Sequence, residues 1–211
     1  FSSITTNYEL DKNALIEDEI NSYVKNNSFE NNHYDKSKID NLEINISGIL
    51  EKYGEKFYQI TAFEKITNNE VDILYEIKKT NKTYINQINI SGNTRTFDYV
   101  IRRELDISEG DPINYSKIKQ IKKDLKRLPF FNNVEINQNP INDEYQDIEI
   151  NVEETQTGTF NVELSVGSLD GLSFVSGLKE KNINGTGRSL EFLINTSENN
   201  RAFTINTTEK F

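Results

Sequence analysis

The chain contains no cysteine, which excludes disulfides, thiolate zinc sites and thiol nucleophiles together. A cysteine-free chain suits an oxidising compartment without establishing one. No apolar run approaches the ~18 residues of a membrane-spanning helix, so none is expected. No leader-like stretch is present either. Phe1 opens directly into a strand-like segment, so the start is expected to lie upstream or the protein to be cytosolic. Positive charge is in deficit: 24 Lys and Arg stand against 34 Asp and Glu, giving a net charge of −10 and a pI near 4.8. Such a field opposes nucleic acid, and no nucleic-acid partner is expected. The single histidine, His33, lies in a polar loop among Asn and Glu. A metal site needs more ligands than this, and a catalytic histidine needs a nucleophile and an orienting partner. The carboxylates form no EF-hand loop, and no helix follows Gly185-Thr186-Gly187 as a phosphate loop requires. Catalytic residues, cofactors and metals are therefore not expected, and the chain is not read as an enzyme.

What is present is a repeat. Only 35% of residues are apolar and mean hydropathy is −0.68, which suits small modules with thin cores. Ser37-Lys38-Ile39 recurs as Ser116-Lys117-Ile118, an offset of 79 residues. Ile39, Leu42, Ile46 and Ile49 then track Ile118, Ile121, Leu125 and Leu128, both sets stepping by 3, 4 and 3 along one helix face. Asp35 and Asn114 stand where each helix needs a cap. A shorter amphipathic helix precedes each long one. Asp11 caps a helix carrying Leu15, Ile16, Ile20, Tyr23 and Val24, and Thr96 caps one carrying Phe97, Val100, Ile101 and Leu105. Strand-like segments at 3–8 and 84–91 come first. Alternating pairs at 57–63 with 71–77, and at 131–137 with 147–152, follow the breakers Gly54 and Pro129. Each copy reads β-α-α-β-β, with two helices covering one face of a three-stranded sheet.

After about residue 155 helical periods give way to long alternating strands. Phe160, Val162, Leu164 and Val166 alternate with Asn161, Glu163 and Ser165. Leu172, Phe174 and Leu178 mark a second strand, Leu190, Phe192 and Ile194 a third, Phe203 and Ile205 a fourth. Asp170-Gly171 and Glu198-Asn199-Asn200 occupy hairpin positions. Strands of ~10 residues with one apolar face meet the needs of a tilted membrane strand. Half of a soluble β-sandwich has the same periodicity.

Several motifs carry a resemblance. Residues 88–98 (INISGNTRTFD), Ile101-Arg102-Arg103-Glu104-Leu105 and Glu109-Gly110-Asp111 resemble the last POTRA (polypeptide-transport-associated) module of the BamA-like outer-membrane assembly factors. Leu128-Pro129-Phe130-Phe131 is similar to that family's helix exit, with Pro129 where glycine is more familiar. Val152-Glu153-Glu154 and Thr157-Gly158 resemble its entry into the first barrel strand, and residues 182–187 its turn between the second and third. Residues 1–83 match by pattern, and the tail Thr208-Glu209-Lys210-Phe211 departs from the family's ending.

The resemblance implies an α+β chain of three parts: POTRA modules at 1–82 and 83–155, then the first four antiparallel strands of an incomplete transmembrane β-barrel at 156–211. It implies a fragment, because four strands cannot close a membrane barrel of ~8 or more. It also implies a bacterial outer-membrane location with periplasmic modules, and partners that are unfolded outer-membrane proteins, accessory lipoproteins and outer-membrane lipid. Arg102, Arg103 and Glu104 are a candidate lipoprotein dock or barrel contact. Lys119, Lys122, Lys123 and Lys126 form a basic helix stripe for an acidic partner or lipid head groups, although a solvated helix face is the plainer reading. Gly158, Phe160, Val162, Leu164 and Val166 would form the strand at the barrel seam. A soluble periplasmic POTRA adaptor that binds peptides, and a two-partner secretion or TamA-like transporter, remain alternatives.

Overall fold

A computed structural model describes residues 3–10, 14–27, 34–67, 70–167 and 171–209. The proposed cap Asp11, His33 and the hairpin residue Asp170 lie outside them. The first repeat runs β1 (Ser3–Glu9), α1 (Ala14–Asn26), α2 (Lys36–Lys52), β2 (Tyr58–Thr67) and β3 (Glu70–Lys79). Its sheet has the order β1-β3-β2, with β1 parallel and β2 antiparallel to β3. Parallel pairing demands a long crossover, which the two helices provide. Ile16, Ile20 and Val24 of α1 and Ile39, Leu42, Ile46 and Leu50 of α2 bury against Ile60, Ile73, Tyr75 and Ile77. Two details differ from the sequence reading. Leu15 is exposed, because it lies about 100° from the Ile16–Ile20–Val24 line. On α2 it is Leu50, rather than Ile49, that becomes fully buried.

The second repeat follows the same order: β4 (Tyr84–Ser91), α3 (Asp98–Arg102), α4 (Tyr115–Lys126), β5 (Phe131–Pro140) and β6 (Tyr145–Glu154). Its sheet is ordered β4-β6-β5, again first, third, second. Ile118, Ile121, Leu125 and Leu128 are all buried, as their spacing requires. Helix α3 is only five residues long and stops before Leu105. Thr96 does not cap it: Phe97 occupies the cap position and makes no side-chain cap bond. The Thr96 hydroxyl is engaged elsewhere, as described below.

Both long helices are capped as expected. Asp35 accepts the Ser37 N–H at 2.9 Å, and Asn114 Oδ1 accepts the Lys117 N–H at 3.1 Å. Asn114 is itself buried, and its amide donates to Tyr58 Oη at 3.0 Å and Glu51 at 2.8 Å. Burial pushes the Tyr58 phenol up to about 12, so it remains neutral and donates to the Ser47 carbonyl. An Asn114→Ala change removes the cap and the buried donor together. A loss of about 2 kcal/mol is expected in urea unfolding. A loss below about 0.5 kcal/mol would contradict this role.

Four further strands, β7 (Gly158–Gly167), β8 (Gly171–Glu180), β9 (Ser189–Thr196) and β10 (Arg201–Thr208), form one antiparallel meander in the order β10-β9-β8-β7. A 3₁₀ turn at Ile183–Gly185 lies between β8 and β9. The chain divides into two compact units. One comprises Phe1–Asn89, Asp106–Ile121 and Asn137–Ile148; the other comprises Ile90–Leu105, Lys122–Ile136 and Glu149–Phe211. Among the described residues no helix is long and apolar enough to cross a membrane.

Candidate functional site

Ile148, Ile150 and Val152 are buried on one face of β6, and Glu154 is the next residue at that period. Its side chain is 6% exposed. The carboxylate accepts the Thr96 N–H at 2.7 Å, the Arg95 N–H at 3.0 Å and the Thr94 hydroxyl at 2.8 Å. Burial alone would raise its pKa. The hydrogen bonds from the Thr96 hydroxyl and amide, the Thr94 hydroxyl and the Arg95 amide outweigh burial and hold it at about 2. Glu154 therefore fixes, as an anion, the segment that joins β4 to α3.

That segment also holds the β8–β9 connection. Asn182 donates to the Thr96 hydroxyl oxygen at 2.9 Å, and the Phe97 N–H donates to the Gly185 carbonyl at 2.9 Å. Asn182 Oδ1 accepts the Gly187 N–H at 2.7 Å, closing the turn on itself. Gly185 has φ +74, and any Cβ there would overlap the Arg95 carbonyl. The close backbone approach explains why glycine stands at that position. The three residues between β6 and β7 are tied as well. The Thr155 N–H donates to the Phe130 carbonyl at 3.0 Å, and the Lys181 N–H to the Thr157 carbonyl at 3.2 Å.

The strand sheet beyond this latch has one apolar face. By register, Phe160, Leu178, Phe192 and Ile205 form one row across all four strands. Val162, Ser176, Ile194 and Phe203 form the next, and Leu164 pairs with Phe174 and Val166 with Leu172 beyond them. Phe160, Leu164, Val166, Phe203 and Ile205 are all more than two-thirds exposed. The opposite face carries Asn161, Glu163 and Ser165, with a Lys179–Glu191 ion pair at 3.4 Å. A soluble sheet buries its apolar face and exposes its polar one. Here the apolar side is exposed.

The remaining predicted residues are distributed as follows. Gly158, Phe160, Val162, Leu164 and Val166 lie on β7, an edge strand that among the described residues pairs only with β8. Arg102 pairs with Asp98 at 2.6 Å, while Arg103 turns the other way, 3.9 Å from both Glu104 and Glu209. Lys119 pairs with Glu43 at 2.7 Å and Asp40 at 3.0 Å, which neutralises its end of the basic stripe. Lys122 and Lys123 are half-buried and Lys126 is exposed; these three fall in the second compact unit and Lys119 in the first. Sequence reasoning missed Glu154, Asn182 and Thr96 as one cluster. The available signal was Glu154 continuing the apolar parity of β6.

The described residues thus comprise two β-α-α-β-β repeats followed by an amphipathic four-stranded antiparallel sheet. Residues 83–155 match the POTRA family model, described as surface antigen variable number repeat. The chain is similar to BamA proteins. It is 34% identical over 148 residues to the outer membrane protein assembly factor BamA of Neorickettsia risticii, covering 70% of this chain and 20% of that protein. It is 32% identical over 137 residues to BamA of Neisseria meningitidis serogroup B, covering 63% and 17%. The chain thus spans about a fifth of these curated relatives. The fold is that of the crystal structure of Haemophilus ducreyi BamA lacking POTRA domains 1–3. The match covers 93% of this chain and 37% of that one, with a TM-score of 0.60 at 24% identity.

Proposed function

We propose that this chain is a segment of a bacterial outer-membrane protein assembly factor, organised as POTRA modules at 1–82 and 83–155 and the opening strands of a membrane barrel at 156–211. The modules would lie in the periplasm and receive unfolded outer-membrane proteins. Accessory lipoproteins would dock at Arg102, Arg103 and Glu104 or along Lys122, Lys123 and Lys126. The observation that carries this reading is the uncovered row Phe160–Leu178–Phe192–Ile205 on a four-stranded sheet. Lipid offers backbone groups no hydrogen-bond partners, so strands in a membrane gain by pairing until a barrel of ~8 or more closes. A soluble adaptor would have to bury the same row.

In this reading β7 is the seam strand, and its free edge templates an incoming strand through backbone groups. No nucleotide is needed, since pairing backbone groups in a lipid environment supplies the drive. Successive N–H groups of β7 alternate between β8 and the free edge. Proline at Val162 or Leu164, compared with proline at Glu163, therefore samples both directions. In the full-length parent at least one of these substitutions is expected to deplete outer-membrane β-barrel proteins. Normal levels with all three would remove the seam from the account.

A further inference from the structure

We propose that the second compact unit carries a side-chain binding site for acidic polypeptide segments, placed just beyond α4 on the polar side of the strand sheet. The inference rests on the proposed function for the source of such segments, an unfolded client chain. Its basis is a depression of about 300 Å³. Leu128, Pro129 and Phe130 give it an apolar wall, and Arg103, Lys179 and Lys181 supply three cations. Among the described residues no carboxylate lines it, although the chain as a whole has a net charge of −10.

Backbone contacts hold these parts in place. The Phe130 carbonyl accepts the Thr155 N–H at 3.0 Å, which ties the apolar wall to the entry of β7. Phe130 also meets Phe131 edge-on, with centroids 4.8 Å apart. On the facing side Gly187 has φ +74, and a Cβ there would stand 2.7 Å from Arg103 Nη2. Glycine at 187 thus lets the guanidinium lie against the β8–β9 connection. Arg103 is 3.9 Å from both Glu104 and Glu209, beyond hydrogen-bonding distance, so neither carboxylate occupies its donors.

The wall selects the ligand. A planar guanidinium beside two ammonium groups suits a carboxylate, and the apolar wall suits a hydrophobic side chain next to it. A volume of about 300 Å³ is at the low end for ligand sites, which fits a side chain or two. Strand parity gives the direction of access. Lys179, Ser189 and Thr208 point away from the Phe160–Leu178–Phe192–Ile205 row, on the face that carries the Lys179–Glu191 pair. In the proposed assembly lipid lies on the other face, so a ligand arrives here through water. An unfolded chain with Asp or Glu beside an apolar residue satisfies charge, size and access together. Such recognition is by side chains and differs from strand addition at the β7 edge.

The test uses the full-length parent in phosphatidylcholine nanodiscs and ligand-observed fluorine NMR. The probe is acetyl-Gly-Ser-Asp-Phe-Ser-Gly-amide with para-fluorophenylalanine as its aromatic residue. Its resonance is expected to broaden with added protein and to sharpen again with excess unlabelled peptide. A probe with Asn for Asp should bind at least about tenfold more weakly, and an unlabelled peptide with Ser for Phe should not compete. Combining Lys179→Gln with Lys181→Gln should weaken binding to the same degree. Both side chains are half-buried at the surface, and Arg201→Gln, at the far end of β10, is the charge control that should leave binding unchanged. No broadening, equal binding of the Asn probe, or full binding by the double variant overturns the site. Displacement by dihexanoylphosphatidylglycerol well below the concentration at which unlabelled peptide acts also overturns it, in favour of a lipid occupant. Loss of binding by a parent that enters nanodiscs overturns the site alone. A parent that stays outside them contradicts the membrane reading, and peptide binding is then read on the protein in buffer.

Discussion

Substituting Gly92 with alanine is expected to destabilise the second compact unit by at least about 3 kcal/mol, whereas the same change at Gly110 should cost only about 1 kcal/mol. Both glycines have positive φ, +87 and +92, so the conformational penalty for a side chain is similar at the two sites. They differ in surroundings. A Cβ at Gly110 would have open space, while one at Gly92 would overlap the Val152 carbonyl oxygen. Val152 cannot yield, because it lies buried in β6, the central strand between β4 and β5. Two residues on, Glu154 is bound to Thr94, Arg95 and Thr96, so any shift of the strand end also loosens the latch. Hydrogen exchange of β6 amides, read together with guanidinium unfolding, measures the difference. Equal costs at the two glycines would show that the overlap relaxes freely.

The Glu154 carboxylate should account for roughly 3 kcal/mol of stability at neutral pH, from a pKa of about 2 against an ordinary value of 4.5. The folded value is the lower one. This contribution is therefore complete above pH 4.5 and declines as the pH falls toward 2. Glu154→Gln keeps one acceptor but turns an NH₂ group toward donors that need an oxygen. The variant should lose most of that stability at pH 7. Its disadvantage should then shrink as both proteins are acidified, because the wild-type carboxylate also becomes neutral. A gap that stays constant between pH 7 and pH 3 would mean that charge is not what the Thr94–Thr96 segment recognises.

The fold was legible wherever one face of an element decides its burial. The 3, 4, 3 spacing located α2 and α4, and alternation at 84–91 matches β4 from end to end. Legibility failed where partners are remote in sequence. Lys119 looked like part of an open basic stripe, yet Glu43, 76 residues away, binds it. Thr96 has the residue type and place of a helix cap. Asn182, 86 residues on, and Glu154 instead take its hydroxyl, and α3 begins uncapped. Glu153 and Glu154 are indistinguishable by composition, and only strand parity turns Glu154 inward. Parity was also what revealed the strand wall, since Phe160, Val162, Leu164 and Val166 share one side with no helical alternative.

The central claim is that this side of β7 meets lipid. These 211 residues contain no cysteine, so in a parent whose other cysteines, where present, are replaced, nitroxide labels can be attached through single cysteines at each position from 160 to 166. With the full-length parent in bilayers, their collision rates with oxygen, which partitions into lipid, and with a water-soluble nickel chelate can be compared. The account expects a period of two: positions 160, 162, 164 and 166 favour oxygen, and 161, 163 and 165 favour the chelate. Uniform access to the chelate, or labels at 160–166 shielded from both reagents, would contradict it.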